Sequence, residues 1–243
     1  MPAEGDIRTQ VARESERRSR LAVPALAGGV LYLLGTIILL TSSNGAPRVG
    51  LLQGLTPALS GVADPRVSVR AQYVKYISQH AFGAVAGSVV TALALLALTL
   101  ILLVLTDATR FRRPQTWSAA RPLLMIGGPV LAFVTVAHEV VIALQAHSFA
   151  VGHDLSNRAV DHATTKAPAI VATASLGFVS WVALTAGMVA VMINAQRVGL
   201  LPRWVSFLGM FAALLIFFGG GQLAVIPAFW MVMIGILFAD RWP

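Results

Sequence analysis

The chain has 243 residues, 57% of them hydrophobic and 12% charged, with a mean hydropathy of +0.77; a soluble domain carries about 25% charged residues and could not hide so much apolar side chain. The net charge of +8 does not mark a nucleic-acid binder, because the basic residues are scattered between apolar runs and form no aromatic-interleaved patch. Cysteine is absent, which excludes disulfides, thiolate catalysis and iron–sulfur ligation.

The apolar runs are roughly 17 to 27 residues long, the length a helix needs to cross a hydrocarbon core of about 30 Å. The predicted fold is all-α: a polytopic transmembrane helical bundle of about six spans whose solvent and first partner is the lipid bilayer. Residues 1–20 form a polar, mixed-charge cytoplasmic tail, with Glu14/Arg18 and Glu16/Arg20 at the i,i+4 spacing that supports a helix. The first span, 21–41, follows a tail with four acids and exceeds the apolar run of a cleaved leader, so it reads as an uncleaved signal anchor.

An amphipathic outer segment is predicted at 50–79. Leu52, Leu55, Leu59 and Val62 repeat at helical spacing, as in a helix lying on the membrane surface. Asp64 and Pro65 then suit the N-cap and first position of a new helix. Val69, Tyr73, Tyr76 and Ile77 carry an apolar stripe into the second span, 80–106, so that helix is expected to project beyond the bilayer.

An arginine-rich loop, 107–121, precedes the third span at 122–146. A polar loop, 147–166, leads to the fourth at 167–193. Pro202 is a fitting first residue for the next helix. Between Trp204 and Phe238 no charge occurs, yet one helix of that length would reach roughly 50 Å, too long for a single crossing without strong tilt. Gly219, Gly220, Gly221 and Gln222 interrupt the run. They predict a hairpin of two short spans, 204–218 and 223–238, with one kinked helix as the alternative.

Orientation follows from the basic residues. With both termini inside, 12 of the 18 fall in inner segments, the bias expected of cytoplasmic loops. Trp117 and Trp204 then lie at inner boundaries, and Tyr73 and Tyr76 near an outer one, as interfacial anchors do. Sixteen of the 18 basic residues are arginine and alanine is abundant. That bias suits a GC-rich bacterial genome, and with it a bacterial inner membrane.

Gly83 and Gly87 on the second span, and Ala169, Thr173 and Gly177 on the fourth, are small residues at four-residue spacing. They allow close helix packing, within the chain by default, or against a second copy or another membrane protein. No repeat of 20–50 residues and no inverted repeat is visible.

Glu139 is the one acid inside a predicted span, roughly 10 Å below the outer boundary at 1.5 Å per residue. A charge there must face the bundle interior or water, or carry a proton. Thr135, His138, Glu139 and Gln145 share one arc of the helix. The functional reading is a proton relay or ligand point, since titratable groups in such surroundings are suited to proton exchange. The structural reading is a polar contact with neighbouring helices or a wet vestibule.

All five histidines fall on the predicted outer side. His147, His153 and His162, with Asp154 and Asp161, carry ligand chemistry for zinc or copper. Their spacing matches no compact metal signature, and HExxH is absent. Nor is there a GxSxG elbow, a phosphate-binding loop or a GxGxxG after a strand. No cofactor is called for.

Gly28-Gly29-Val30-Leu31-Tyr32-Leu33-Leu34-Gly35 and Gly199-Leu200-Leu201-Pro202-Arg203-Trp204 resemble a loose group of bacterial multi-pass membrane proteins of unknown function. The resemblance covers a minor part of the chain. It implies a helical membrane bundle and no catalytic residues. The sequence thus supports first a non-enzymatic accessory or interaction protein. The alternatives are a transporter or proton-coupled carrier centred on Glu139, and an outward-facing metal-binding protein using the loop histidines.

Overall fold

Every element among the described residues is helical. The computed structural model describes residues 4–47, 69–113, 119–152, 156–217 and 223–240, with the side chains of 4–19 and Asn157 outside that description. In chain order the helices are α1 (Glu4–Ser43), α2 (Val69–Arg112), α3 (Ala120–Val151), α4 (Asn157–Asp161), α5 (Pro168–Arg197), α6 (Arg203–Phe217) and α7 (Val225–Ala239). A π-helical turn, His162–Lys166, joins α4 to α5. Four stretches among these residues are long and apolar enough to cross a membrane: Arg20–Ser43, Val69–Arg112, Ala120–Val151 and Arg158–Arg197. Large apolar side chains such as Phe82, Phe133, Phe178 and Phe207 stand exposed on them and on α6. Lipid, not water, is the medium that tolerates such faces.

Helix ends follow local chemistry. Pro168 occupies the first position of α5, where its missing N–H costs nothing. At the other end Gly199 adopts φ +67°, with Leu200 N–H donating to Ala195 O at 2.9 Å and Gly199 N–H to Gln196 O at 3.2 Å. This is a Schellman stop, which satisfies the last carbonyls. Pro202 follows and opens α6, its carbonyl accepting from Ser206 N–H at 3.2 Å.

The chain divides into two units. One comprises Met1–Leu34, Val90–Ala132 and Val179–Pro243. Its helices approach closely through glycine: a Cβ on Gly29 would lie 2.7 Å from the Ala228 carbonyl oxygen, so α1 and α7 touch backbone to backbone. In the same unit Trp230 is fully buried and its Nε1–H donates to Val205 O at 3.1 Å. Gly209 leaves room for the indole, since a Cβ there would sit 2.7 Å from Nε1. In an unbroken helix residues 205 and 230 would be roughly 37 Å apart. The chain therefore reverses between α6 and α7.

The other unit comprises Gly35–Val89 and Phe133–Phe178. Its core is Ala71, Val74, Ala146, Phe149, Val160 and Ala163, drawn from α2, α3, α4 and the π turn. Arg70 pairs with Asp161, which Lys166 also reaches at 3.0 Å. Two cations on one carboxylate hold the polar start of α2 against the π turn. α2 therefore begins well before the predicted span, and α3 continues five residues past Ala146 to Val151.

The predicted repeat of Leu52, Leu55, Leu59 and Val62, the Asp64–Pro65 helix start, Trp117 and the turn at 219–222 lie outside the described residues, as do His153 and Asp154.

Candidate functional site

The end of α1 sets the site. Ser42 and Ser43 turn their hydroxyls back onto the helix, donating to Ile38 O at 2.7 Å and Leu40 O at 3.0 Å. Such back-bonding competes with the backbone ladder and suits a helix terminus. Asn44 and Gly45 then form a turn, with Gly45 at φ +110°, a region that side-chain-bearing residues avoid. The turn presents the Asn44 carbonyl to α2, where the Tyr76 hydroxyl donates to it at 2.9 Å.

One turn further along α2, His80 stacks on Tyr76 with ring centroids 3.9 Å apart and planes 17° from parallel. Its Nδ1 lies 3.0 Å from the Tyr76 carbonyl oxygen. A carbonyl only accepts, so Nδ1 carries the proton, and in the neutral ring Nε2 keeps its lone pair.

These groups surround a cavity of about 320 Å³ lined by Ser42, Ser43, Tyr73, Tyr76, His80 and Glu139, with Leu39, Ile77 and Ile142 among its apolar walls. Glu139, half-buried on α3, is the one acid in its lining among the described residues, which place no Lys or Arg there. No hydrogen bond or ion pair holds its carboxyl among the described residues. A carboxylate without a partner among the described residues needs water, a proton or a bound cation, and the cavity has room for any of the three.

Of the four residues that share the predicted arc, the cavity lining includes Glu139 and not Thr135, His138 or Gln145. His138 turns to α5, its Nδ1 2.8 Å from Thr173 Oγ1. The single hydroxyl proton of Thr173 faces the carbonyls of Ala169, at 2.9 Å, and Ile170, at 3.1 Å. His138 is thus the donor, and the bond ties α3 to α5 rather than serving Glu139.

The small-residue faces are occupied within the chain. A Cβ on Gly87 would lie 2.9 Å from Leu39 Cγ, and one on Gly83 would collide with Ser42. Gly177 meets Val134 at 3.3 Å, Thr173 meets His138, and Ala169 stays exposed. Among the predicted metal ligands, His147 is exposed on α3, His162 is exposed at the start of the π turn, and Asp161 is taken up by Arg70 and Lys166. No three His, Asp or Glu side chains gather at one point among the described residues.

Ser42, Ser43 and Tyr76 were not legible as site residues from spacing alone. The available signals were a polar Ser-Ser-Asn directly after an apolar run and a Tyr–His pair at i,i+4 on one helix face. Comparison of the chain with family models, with curated proteins and with solved structures finds no match.

Proposed function

We propose that the protein is a proton-coupled carrier of a bacterial inner membrane, working through Glu139 in a cavity open toward the outer side. The observation that carries this reading is the Glu139 carboxyl, without a partner among the described residues, lining a cavity of about 320 Å³ with hydroxyl and imidazole groups around it. A carrier needs a titratable group that exchanges between water and a substrate, and an acid retained inside an apolar helix at a cost of order 2.5 kcal/mol or more is a marker of such a site. The accessory-protein reading drew on the lack of a catalytic constellation and on small-residue packing faces. Gly83, Gly87 and Gly177 pack within the chain, so the second motive offers no surface for a partner at those positions.

Six spans with both termini cytoplasmic remain the proposed topology, on the 12-to-6 split of basic residues. α6 and α7 have 15 residues each, or roughly 22 Å, against a hydrocarbon core of about 30 Å. The reversal between α6 and α7 brings the end of α7, at Ala239, back to the side that Arg203 occupies.

The test is proton flux in vesicles containing the purified protein, with a pH-sensitive dye inside. Wild type is expected to collapse an imposed pH gradient faster than empty vesicles, and Glu139→Gln to match empty vesicles while still inserting and remaining monodisperse. Equal flux from wild type and Glu139→Gln removes the carrier reading.

A further inference from the structure

We infer that the ligand of the Glu139 cavity is a small primary or secondary ammonium ion bearing an apolar group, a substrate class that rests on the carrier reading of the same site. The argument is an inventory of protons. Ser42 and Ser43 direct their hydroxyl protons to Ile38 O and Leu40 O, and Tyr76 directs its own to Asn44 O. His80 uses Nδ1–H on the Tyr76 carbonyl. Each of these groups therefore has its proton committed and keeps a lone pair for a ligand. Tyr73 has the one hydroxyl in the lining without a partner among the described residues.

A lining of acceptors around an unpaired carboxylate selects a donor-rich cation. A primary ammonium has three N–H groups, enough for one charge-assisted bond to Glu139 and two more to the surrounding oxygens or to His80 Nε2. An anion meets the opposite: among the described residues no Lys or Arg lines the cavity, and Arg70 and Lys166, on the same unit, are both engaged with Asp161. A sugar needs donors as well as acceptors from its site and finds almost none. A divalent metal is held best by three or more carboxylates or imidazoles at a point, and among the described residues no three such groups gather.

Size and walls narrow the class. At about 320 Å³ the cavity is at the small end of ligand pockets, which run from roughly 300 to 1,000 Å³. Leu39, Ile77 and Ile142 suit an apolar substituent, and Tyr73 adds to the lining an aromatic ring, a group that attracts a cation. A quaternary ammonium would keep that last contact but satisfy none of the acceptors, so N–H-bearing amines are preferred.

The experiment is calorimetric titration of the purified full-length protein in detergent with phenethylamine hydrochloride, phenethyl alcohol and phenylacetate. Phenethylammonium is expected to bind saturably and at least about tenfold tighter than the alcohol, the margin of one charge-assisted contact. Phenylacetate is expected not to compete, and Glu139→Gln to lower the ammonium affinity to that of the alcohol. The inference is overturned if the ammonium does not saturate, if the alcohol or the anion binds as tightly, or if Glu139→Gln keeps wild-type affinity. The ligand series on wild type decides the matter even where the variant fails to fold. Proton flux in vesicles without ammonium binding would sink the substrate class and leave the carrier. Ammonium binding without flux supports the substrate class and sinks the carrier.

Discussion

Replacing Trp230 with phenylalanine tests the α6–α7 hairpin. The indole is fully buried, and its Nε1–H donates to Val205 O at 3.1 Å. Loss of one buried hydrogen bond costs about 1 kcal/mol net. Phenylalanine is also smaller than tryptophan by about 40 Å³, and at roughly 24 cal/mol per Å³ the cavity adds about 1 kcal/mol. The backbone cannot easily close that space, because Gly209 already lets α6 approach the ring. The expected loss is about 2 kcal/mol, a factor of about 30 in the unfolding equilibrium. Unfolding by dodecyl sulfate in mixed micelles, followed by far-UV circular dichroism, reads it directly. A change within about 0.5 kcal/mol, the scatter of surface substitutions, would mean that the indole does not bridge the two helices and that the reversal has been misread.

Three further outcomes are expected. Gly83→Leu forces a side chain into Ser42 on α1 and should destabilise by about 1–3 kcal/mol as overpacking does; thermal unfolding in detergent that is unchanged would contradict the close α1–α2 contact. Asp161→Asn removes the shared partner of Arg70 and Lys166, and because the pairs are partly exposed the loss should be about 1 kcal/mol. Amide exchange across 157–166 should then rise about fivefold, whereas unaltered exchange would show that the ion pairs do not hold the π turn. Reporter fusions after Gln115 and after Leu155 should report opposite sides of the membrane, and the same side for both would end the proposed topology.

The helices were legible because their signal is coarse. Long uncharged runs specify where a span lies, and Pro202 marks a helix start by a simple backbone rule. The prediction of a turn at Gly219 to Gln222 rested on the same logic, a run too long for one crossing and broken by glycine. Helix ends outside the apolar core were less visible. The start of α2 carries Arg70 and Lys75, and what steadies it is Asp161, 91 residues away from Arg70.

Glu139 was legible as a lone acid within an apolar run, but its neighbours were not. Helical periodicity groups His138 with Glu139 because adjacent residues differ by only about 100° around the axis. In the structure that angle suffices to send one to Thr173 on α5 and the other to the α1–α2 side. Periodicity ranks the residues of one helix and is silent about what each face meets. The serines of α1 and the tyrosines of α2 became site residues only through tertiary contact, and the direction of their protons, which defines the chemistry of the cavity, depends on carbonyls that no sequence pattern displays.

Aqueous access to Glu139 is the claim on which the rest depends, and carboxyl labelling measures it. The purified protein in detergent would be treated with a water-soluble carbodiimide and an amine nucleophile, and its 10 acidic residues mapped by mass spectrometry. Glu139 should be modified, despite lying within an apolar helix, alongside the exposed Asp107. An unmodified Glu139 beside a modified Asp107 would contradict the open cavity, and with it the carrier.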